Sequence, residues 1–94
     1  MNYKLSNEAD KFLKNKYKKD NPLYNRLMKK IDEIIKNPSS FECLSKKGNW
    51  QKARVGKYRI IFTVISDNDN EYCFIVLIGL RNSIYKMFNR KYME

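Results

Sequence analysis

The sequence predicts a small α+β domain in which a helix hairpin packs on an antiparallel meander of strands, with a further helix at the C-terminus. Three observations predict this class. Apolar residues recur at helical spacing over residues 7–36, β-branched and aromatic residues concentrate in residues 50–78, and helical spacing returns over residues 81–92. A chain of 94 residues can bury one core, so we expect a single domain over residues 1–94.

The expected elements, in order, are a strand over 2–5, a helix before a break at 18–22, a second helix that stops before Asn37-Pro38, strands over about 50–55, 58–65 and 71–78, and a helix over 81–92. Ser6 or Asn7 can cap the first helix, because their side chains accept hydrogen bonds from free backbone N–H groups. Pro22 suits the first position of the second helix, with Asn21 as its cap. The two helices then form an antiparallel hairpin, followed by a polar connection over 38–49.

The last two strands of the meander are apolar on both faces. In the strand over 58–65, alternation places Ile60, Phe62 and Val64 on one face and Ile61, Thr63 and Ile65 on the other. In the strand over 71–78, it places Tyr72, Phe74, Val76 and Ile78 on one face and Cys73, Ile75 and Leu77 on the other. Such a sheet needs cover on both sides, and the helix hairpin covers one of them. The C-terminal helix either covers the other side completely or leaves an apolar groove that a partner segment could fill.

The chain is strongly basic. It has 20 Lys and Arg residues against 10 Asp and Glu, which gives a net charge of +10. Such a field attracts nucleic acid, an anionic membrane or an acidic protein. No apolar run approaches the ~20 residues of a membrane span, and the N-terminus lacks the apolar segment of a signal peptide. We therefore expect a cytoplasmic protein without a membrane partner.

The chain has no histidine, which removes the usual metal ligand and the usual general base. Cys43 and Cys73 do not have metal-binding spacing, and without a secretion signal we expect free thiols, although the sequence leaves a disulfide open. We expect neither a metal nor a cofactor. Any catalysis must use Lys, Arg, Tyr or a carboxylate.

A basic β-hairpin over residues 50–62 is the most informative segment. Gly56-Lys57 forms its joint, where glycine supplies the positive φ of a tight turn. Lys52 and Arg54 share one face, with Ala53 and Val55 on the other. Residues 46–59 contain no acidic residue and carry six cations, which are Lys46, Lys47, Lys52, Arg54, Lys57 and Arg59. Fixed cations on a sheet suit a polyanion, whereas the alternative is a solvated surface that keeps the protein soluble.

Arg81 and Tyr85 lie at i and i+4 of the last helix and so share one of its faces. Because Arg81 follows the last strand, it is expected to lie beside the basic hairpin. Tyr85 can instead be a core aromatic of that helix. Arg59 can instead form a surface ion pair, for example with a carboxylate of the turn over 67–71.

These residues resemble the RelE/ParE toxin superfamily. The resemblance rests on Lys52-x-Arg54-Val55-Gly56-Lys57-Tyr58-Arg59-Ile60-Ile61-Phe62, then Ile78-Gly79-Leu80-Arg81 with Tyr85 following. With the helix hairpin ahead of the meander, it covers essentially the whole chain, and it is strongest to RelE, including archaeal members. It implies a type II toxin that cuts mRNA in the ribosomal A site and is silenced by an acidic RelB-type antitoxin wrapped around it, in a toxin–antitoxin hetero-oligomer.

The resemblance also implies the site residues. Lys52, Arg54, Arg59, Arg81 and Tyr85 match the catalytic positions. RNA cleavage by attack of a 2′-hydroxyl needs a base, charge stabilisation at phosphorus and an acid. Tyr85 is the candidate base, Lys52, Arg54 and Arg59 hold the phosphate, and Arg81 stabilises the transition state or lies beside the leaving oxygen. The remaining cations assigned to RNA or ribosome binding are Lys46, Lys47, Lys57 and Lys86.

Three alternatives share the basic charge. The chain could be a ParE-like topoisomerase inhibitor without nuclease activity, a relative that has lost catalysis but still binds RNA or the ribosome, or a plain RNA-binding module. A double-stranded RNA-binding domain also places strands before a helix, but it does not begin with a two-helix hairpin. Relatives that use a glutamate and a histidine are a poor match, because this chain lacks histidine and its only acid between Asn37 and Ser66 is Glu42.

Overall fold

The strands form one mixed sheet with helices on both faces. The computed structural model describes residues 1–44 and 49–92. Its elements are β1 (Asn2–Leu5), α1 (Asn7–Lys19), α2 (Asn21–Lys36), a 3-10 turn (Pro38–Ser40), β2 (Glu42–Cys43), β3 (Trp50–Val55), β4 (Tyr58–Asp67), β5 (Asn70–Leu80) and α3 (Arg81–Tyr92). The strand order is β1-β5-β4-β3-β2, with β1 parallel to β5 and the other neighbours antiparallel. The predicted fold class is confirmed.

Side-chain caps fix the start of each helix of the hairpin. Ser6 caps α1 as predicted: its Oγ accepts a hydrogen bond from the Ala9 N–H at 3.1 Å and donates one to the Val76 carbonyl at 2.5 Å. The cap of α2 is Asp20 and not the predicted Asn21, because Asp20 Oδ1 accepts a hydrogen bond from the Leu23 N–H at 3.2 Å. The carboxylate also carries the charge that the positive end of a helix favours.

The helix hairpin covers one face of the sheet, as predicted. Apolar side chains of α1 and α2 pack there on those of β3, β4 and β5, and the fully buried members of this core include Ala9, Leu27, Ile34, Ile60, Phe62 and Ile75. Burying a large aliphatic side chain contributes roughly 1.5–3 kcal/mol, so this core is the main support of the hairpin.

A β-bulge in β5 overturns part of the predicted alternation. Opposite β4, Ile61 pairs with Leu77 but Phe62 pairs with Ile75, so that Val76 has no partner in the register. Val76 and Leu77 therefore both lie on the α3 face, and Ile78 joins the core under the helix hairpin. The predictions that Val76 shares a face with Ile78 and that Leu77 lies opposite Val76 are wrong, because an extra residue in one strand shifts the period by one. Leu77 and Ile78 do lie on opposite faces, as predicted.

α3 packs on the second face of the sheet. Ile84 and Phe88 are its buried residues, and they lie over Ile61, Val76 and Leu77. A depression of about 310 Å³ remains between α1 and α3, and its lining includes the 44% exposed Leu80 and the 38% exposed Met87. The helix thus fills the position predicted for it without covering this face completely.

Two contacts hold the C-terminal half of α3. The Trp50 ring of β3 lies 5.2 Å from the ring of Phe88 and 5.2 Å from that of Tyr92, and these two rings stack at 5.5 Å. Aromatic pairs at such distances add to the stabilisation from burial. Lys91 also forms an ion pair with Glu8 in the first turn of α1. The ion pair therefore links the first turn of α1 to the last turn of α3.

The connection between α2 and β3 contains a strand that the sequence analysis did not predict. Glu42 and Cys43 form β2, which pairs with Lys52 and Gln51 of β3. The turn between β4 and β5 is also tighter than expected: Asn68 and Asp69 have φ values of 48° and 68°, as in a two-residue hairpin turn. The two strands consequently extend further than predicted, to Asp67 and from Asn70.

Both cysteines are free thiols, as expected. Cys43 is exposed, and Cys73 is buried in the core under the helix hairpin. Burial raises the pKa of the Cys73 thiol, because the thiolate loses its hydration there. None of the described helices is long and apolar enough to cross a membrane.

Candidate functional site

The basic residues of β3 lie on the face of the sheet that α3 covers. Ala53 and Val55 point into the core under the helix hairpin, so Lys52 and Arg54 point to the opposite face, as alternation predicts. Across the hairpin, Arg54 lies directly opposite Arg59. Like charges in that position destabilise a sheet.

Arg59 is buried against the hairpin turn. The residue is only 7% exposed, and Nη1 donates hydrogen bonds to the carbonyl oxygens of Gly56 and Tyr58, both at 2.8 Å. Gly56 has a φ of 58°, which fits the requirement for glycine at the joint. Arg59 therefore has a structural contact with the turn, and it is not the exposed, ion-pairing side chain of the alternative interpretation.

Lys52 lies between an acid and the candidate base. Its Nζ is 3.5 Å from Glu42 Oε2 and 5.8 Å from the centroid of the Tyr85 ring. The Lys52 side chain is 25% exposed, and Tyr85 is half-buried at the border of the α3 cluster. Tyr85 is therefore both a packed aromatic residue of α3 and a neighbour of the basic hairpin, because its ring packs on the sheet while it also contacts a cation.

α3 begins beside the hairpin turn. The backbone N–H of Arg81, its first residue, donates a hydrogen bond to the carbonyl of Lys57 at 3.0 Å. The Arg81 side chain is exposed and lies one helical turn before Tyr85. Of the other predicted RNA-binding residues, Lys57 and Lys86 are exposed. Lys46 and Lys47 lie outside the described residues.

Glu42 is the residue of this site that sequence reasoning placed elsewhere. It was expected in a polar connection ahead of the hairpin, but β2 sets it opposite Lys52. A strand of two residues has no periodicity, so no pattern in the sequence could have found this pairing. Among residues 1–44 and 49–92, no group of three or more Cys, Asp and Glu side chains could hold a metal ion.

The arrangement joins one phenol, one carboxylate and several cations on a single face. Lys52, Arg54 and Arg81 can neutralise a phosphate, and Tyr85 and Glu42 are the groups within reach that can take up a proton. The half-buried position of Lys52 and Tyr85 strengthens electrostatic effects on a bound anion. Such a site is suited to chemistry on a phosphodiester, and equally to binding one.

Comparison with known families adds one finding. A family model described as the ParE toxin of the type II toxin–antitoxin system parDE matches residues 3–85. The match covers the helix hairpin, the sheet and α3 up to Tyr85. No curated protein and no solved structure matches the chain.

Proposed function

We propose that this chain, which belongs to the RelE/ParE superfamily of toxins from type II toxin–antitoxin systems, is a ribosome-dependent mRNA endonuclease. Membership of the family gives it an antitoxin as partner. The finer assignment is supported by one observation above all, the position of Lys52 Nζ 5.8 Å from the Tyr85 ring on the basic face of the sheet. A protein that only inhibits a partner by surface contact does not need a phenol beside an ammonium group.

The proposed reaction is attack of a ribose 2′-oxygen on the adjacent phosphorus. The 2′-O–P bond forms and the P–O5′ bond breaks, which leaves a 2′,3′-cyclic phosphate and a free 5′-hydroxyl. Tyr85, as phenolate, takes the proton of the 2′-hydroxyl. The departing 5′-oxygen takes up one proton from solvent and Tyr85 afterwards releases to solvent the proton it accepted, so the net reaction consumes no water.

The cations act on the charge that builds up at phosphorus. Arg54 and Lys52 contact the phosphate oxygens, and Arg81 stabilises the transition state or lies beside the leaving oxygen. Arg59 contributes its charge and keeps the turn in shape, since its Nη1 is already bound to two carbonyls. Glu42 holds Lys52 in place until RNA displaces it.

Dependence on the ribosome follows from the weakness of these groups. A phenol is a poor base at neutral pH, and an arginine stays charged and is a poor proton donor. Alignment of the 2′-oxygen with the P–O5′ bond can contribute several kcal/mol, and the ribosome would supply it by holding the mRNA in its A site. Efficient and specific cleavage of free mRNA would count against this part of the proposal.

The test is to map mRNA cuts in a translation extract. Wild type should cut in the A site, and Tyr85→Phe should cut about 100-fold more slowly or not at all, because the base is removed while the ring remains. Tyr17→Phe is the matched control, since Tyr17 is 60% exposed on α1, away from the basic face. Lys52→Gln should fall with Tyr85→Phe, whereas Tyr17→Phe should match wild type.

Topoisomerase inhibition is the second candidate, and the family description favours it, because the matched model is that of ParE toxins. The same proteins are therefore added to a gyrase supercoiling reaction. If wild type blocks supercoiling and cuts no mRNA, the nuclease proposal is lost. If both activities are absent, the chain is a binding relative without catalysis.

A further inference from the structure

A groove runs along the outer side of β3, beyond the end of β2. β2 pairs only with Gln51 and Lys52, so in the described part of the chain no strand pairs with the outer side of residues 53–55. Two depressions of about 360 and 240 Å³ lie along this side, and both are lined by Lys30 and Arg54. We call their combined surface the β3-edge groove, and its charged residues are Arg26, Lys29, Lys30, Glu33, Glu42, Lys52 and Arg54.

Both acids of the β3-edge groove are already neutralised. Glu33 pairs with Lys30 at 3.2 Å, and Glu42 pairs with Lys52 at 3.5 Å. Arg26, Lys29 and Arg54 form no salt bridge with a carboxylate of residues 1–44 or 49–92. The groove therefore has an excess of three cations that no internal acid balances, and an external anion would complete it.

Arg26 is an exposed residue that lies against the hairpin turn. A Cβ atom placed on Gly56 would lie 2.9 Å from Arg26 Nη2, so the guanidinium lies directly over this glycine. Lys29 follows on the same face of α2, three residues further on. The planar fork of a guanidinium in this position matches the oxygens of a phosphate group.

The geometry points to a binding site for the phosphate backbone of single-stranded RNA, and we propose that the RNA which reaches Tyr85 continues along the β3-edge groove. Lys52 connects the two places, since it lines one depression while its Nζ lies 5.8 Å from the centroid of the Tyr85 ring, and Arg54 lines both depressions. This proposal deepens the nuclease proposal and rests on it for the position of the RNA at Tyr85. An acidic peptide is the other polyanion to consider, but the described residues that line the groove form no deep apolar pocket for an anchor side chain.

Binding to an RNA that cannot be cleaved tests the groove by itself. The probe is a fluorescent single-stranded oligouridylate with 2′-O-methyl riboses, which lacks the attacking hydroxyl, and the readout is anisotropy over a series of salt concentrations. Arg26→Gln with Lys29→Gln should bind about tenfold more weakly. Its slope of log K against log salt should be shallower by about 1.4, or about 0.7 for each of two lost phosphate contacts.

Two controls separate the groove from general charge and from misfolding. Lys11→Gln with Lys19→Gln removes the same charge from exposed positions of α1 that do not line the groove. The decrease in salt slope of this α1 variant should be less than half of the decrease seen for the groove variant. Arg26→Lys with Lys29→Arg keeps the charge and should keep the slope. Equal losses in the groove variant and the α1 variant overturn the proposal.

The remaining outcomes also decide. If the groove variant binds the oligonucleotide as wild type does but loses affinity for a polyglutamate peptide, the groove is a peptide site and the proposal is wrong. If wild type cuts no mRNA in the extract while the groove variant still loses its salt slope, the groove stands as an RNA site and only the nuclease proposal fails.

Discussion

At the scale of single residues, the hairpin turn is the position where fold and function depend on the same atoms. Arg59 lies beneath the turn with its Nη1 on two carbonyls, and Arg26 lies over Gly56. Both arginines would also contribute charge toward RNA. Loss of activity in an Arg59→Ala variant is therefore ambiguous, because removal of hydrogen bonds to charged groups costs roughly 1.5–3 kcal/mol of stability by itself.

Gly56→Ala should destabilise the protein by about 1–2 kcal/mol, because an L-residue is strained in the left-handed region. In addition, the new methyl group must displace Arg26 from its 2.9 Å approach. Urea unfolding measures the change. In an Arg26→Ala background the contact is absent, so the remaining penalty is that of backbone strain. An unchanged midpoint in both backgrounds would show that the turn does not hold this conformation.

At the scale of elements, α3 depends on contacts at its two ends. Its start is bound to the Lys57 carbonyl, and its end is held by the Trp50 rings and by the ion pair between Lys91 and Glu8. Tyr85 lies between these supports. Its position near Lys52 therefore depends on both ends of the helix.

The ion pair between Glu8 and Lys91 predicts a dependence of stability on pH. The hydrogen bond from Lys91 lowers the pKa of Glu8 from its usual 4.5, so this contribution is complete above 4.5 and is lost as pH falls through the lowered value. The same bond raises the pKa of Lys91 from 10.5, so the contribution is complete below 10.5 and is lost as pH rises through the raised value. The effect is small, because both groups are exposed.

Thermal unfolding of wild type and Lys91→Gln measures this contribution. The difference in melting temperature should be constant between about pH 5 and pH 10 and should shrink below the lowered pKa of Glu8. Lys14→Gln is the matched control, because Lys14 forms an ion pair of the i,i+4 type with Asp10 inside α1 and does not touch α3. If Lys91→Gln and wild type differ equally at pH 2 and pH 7, the pair does not contribute in solution.

At the scale of the whole molecule, the charge of +10 opposes folding. Only five ion pairs join described residues, and most of them are exposed, so they offset little of the mutual repulsion among 20 cations. A bound polyanion removes this repulsion and stabilises the folded state by mass action. Under the proposed function, that polyanion is an acidic antitoxin in one state and RNA in the other.

Salt should stabilise the free protein. The melting temperature should rise between about 10 mM and about 150 mM ionic strength, because the screening length falls from roughly 30 Å to roughly 8 Å and repulsion weakens. A variant with Lys11→Gln, Lys18→Gln and Lys19→Gln should show a smaller rise. A melting temperature that falls with salt in both proteins would mean that attractive ion pairs dominate, contrary to this account.

The order of the three helices and of the strands other than β2, and the positions of most site residues, could be predicted from the sequence. The boundaries of several elements follow from the backbone preferences of Pro22, Gly56 and the Asn68-Asp69 turn. Strand alternation predicts the face of β3 on which Lys52 lies, and i,i+4 spacing predicts that Tyr85 shares a face of α3 with Arg81. The bulge at Val76 could not be predicted, because its cause is the pairing of two strands and not the composition of one.

Glu42 and Arg26 were missed for a related reason. Each contacts the site through tertiary structure, Glu42 by a two-residue strand and Arg26 by a helix that lies over the turn. Neither stands near the hairpin in a recognisable spacing. Charge patterns along a chain therefore identify the cations of a site more readily than the groups that position them.

β5 ends at Leu80 and α3 begins at Arg81, with no residue between them. Because no loop separates the two elements, the junction fixes the rotation of α3 about its own axis relative to the sheet. One extra residue there would turn every side chain of α3 by about 100° about its axis. Ile84 and Phe88 could keep their packing on the sheet only if the added residue bulged out of the helix at the contact with Lys57. Without such a bulge, the rotation would move Tyr85 away from Lys52. A one-residue insertion after Leu80 should therefore abolish cleavage while every candidate catalytic side chain is still present.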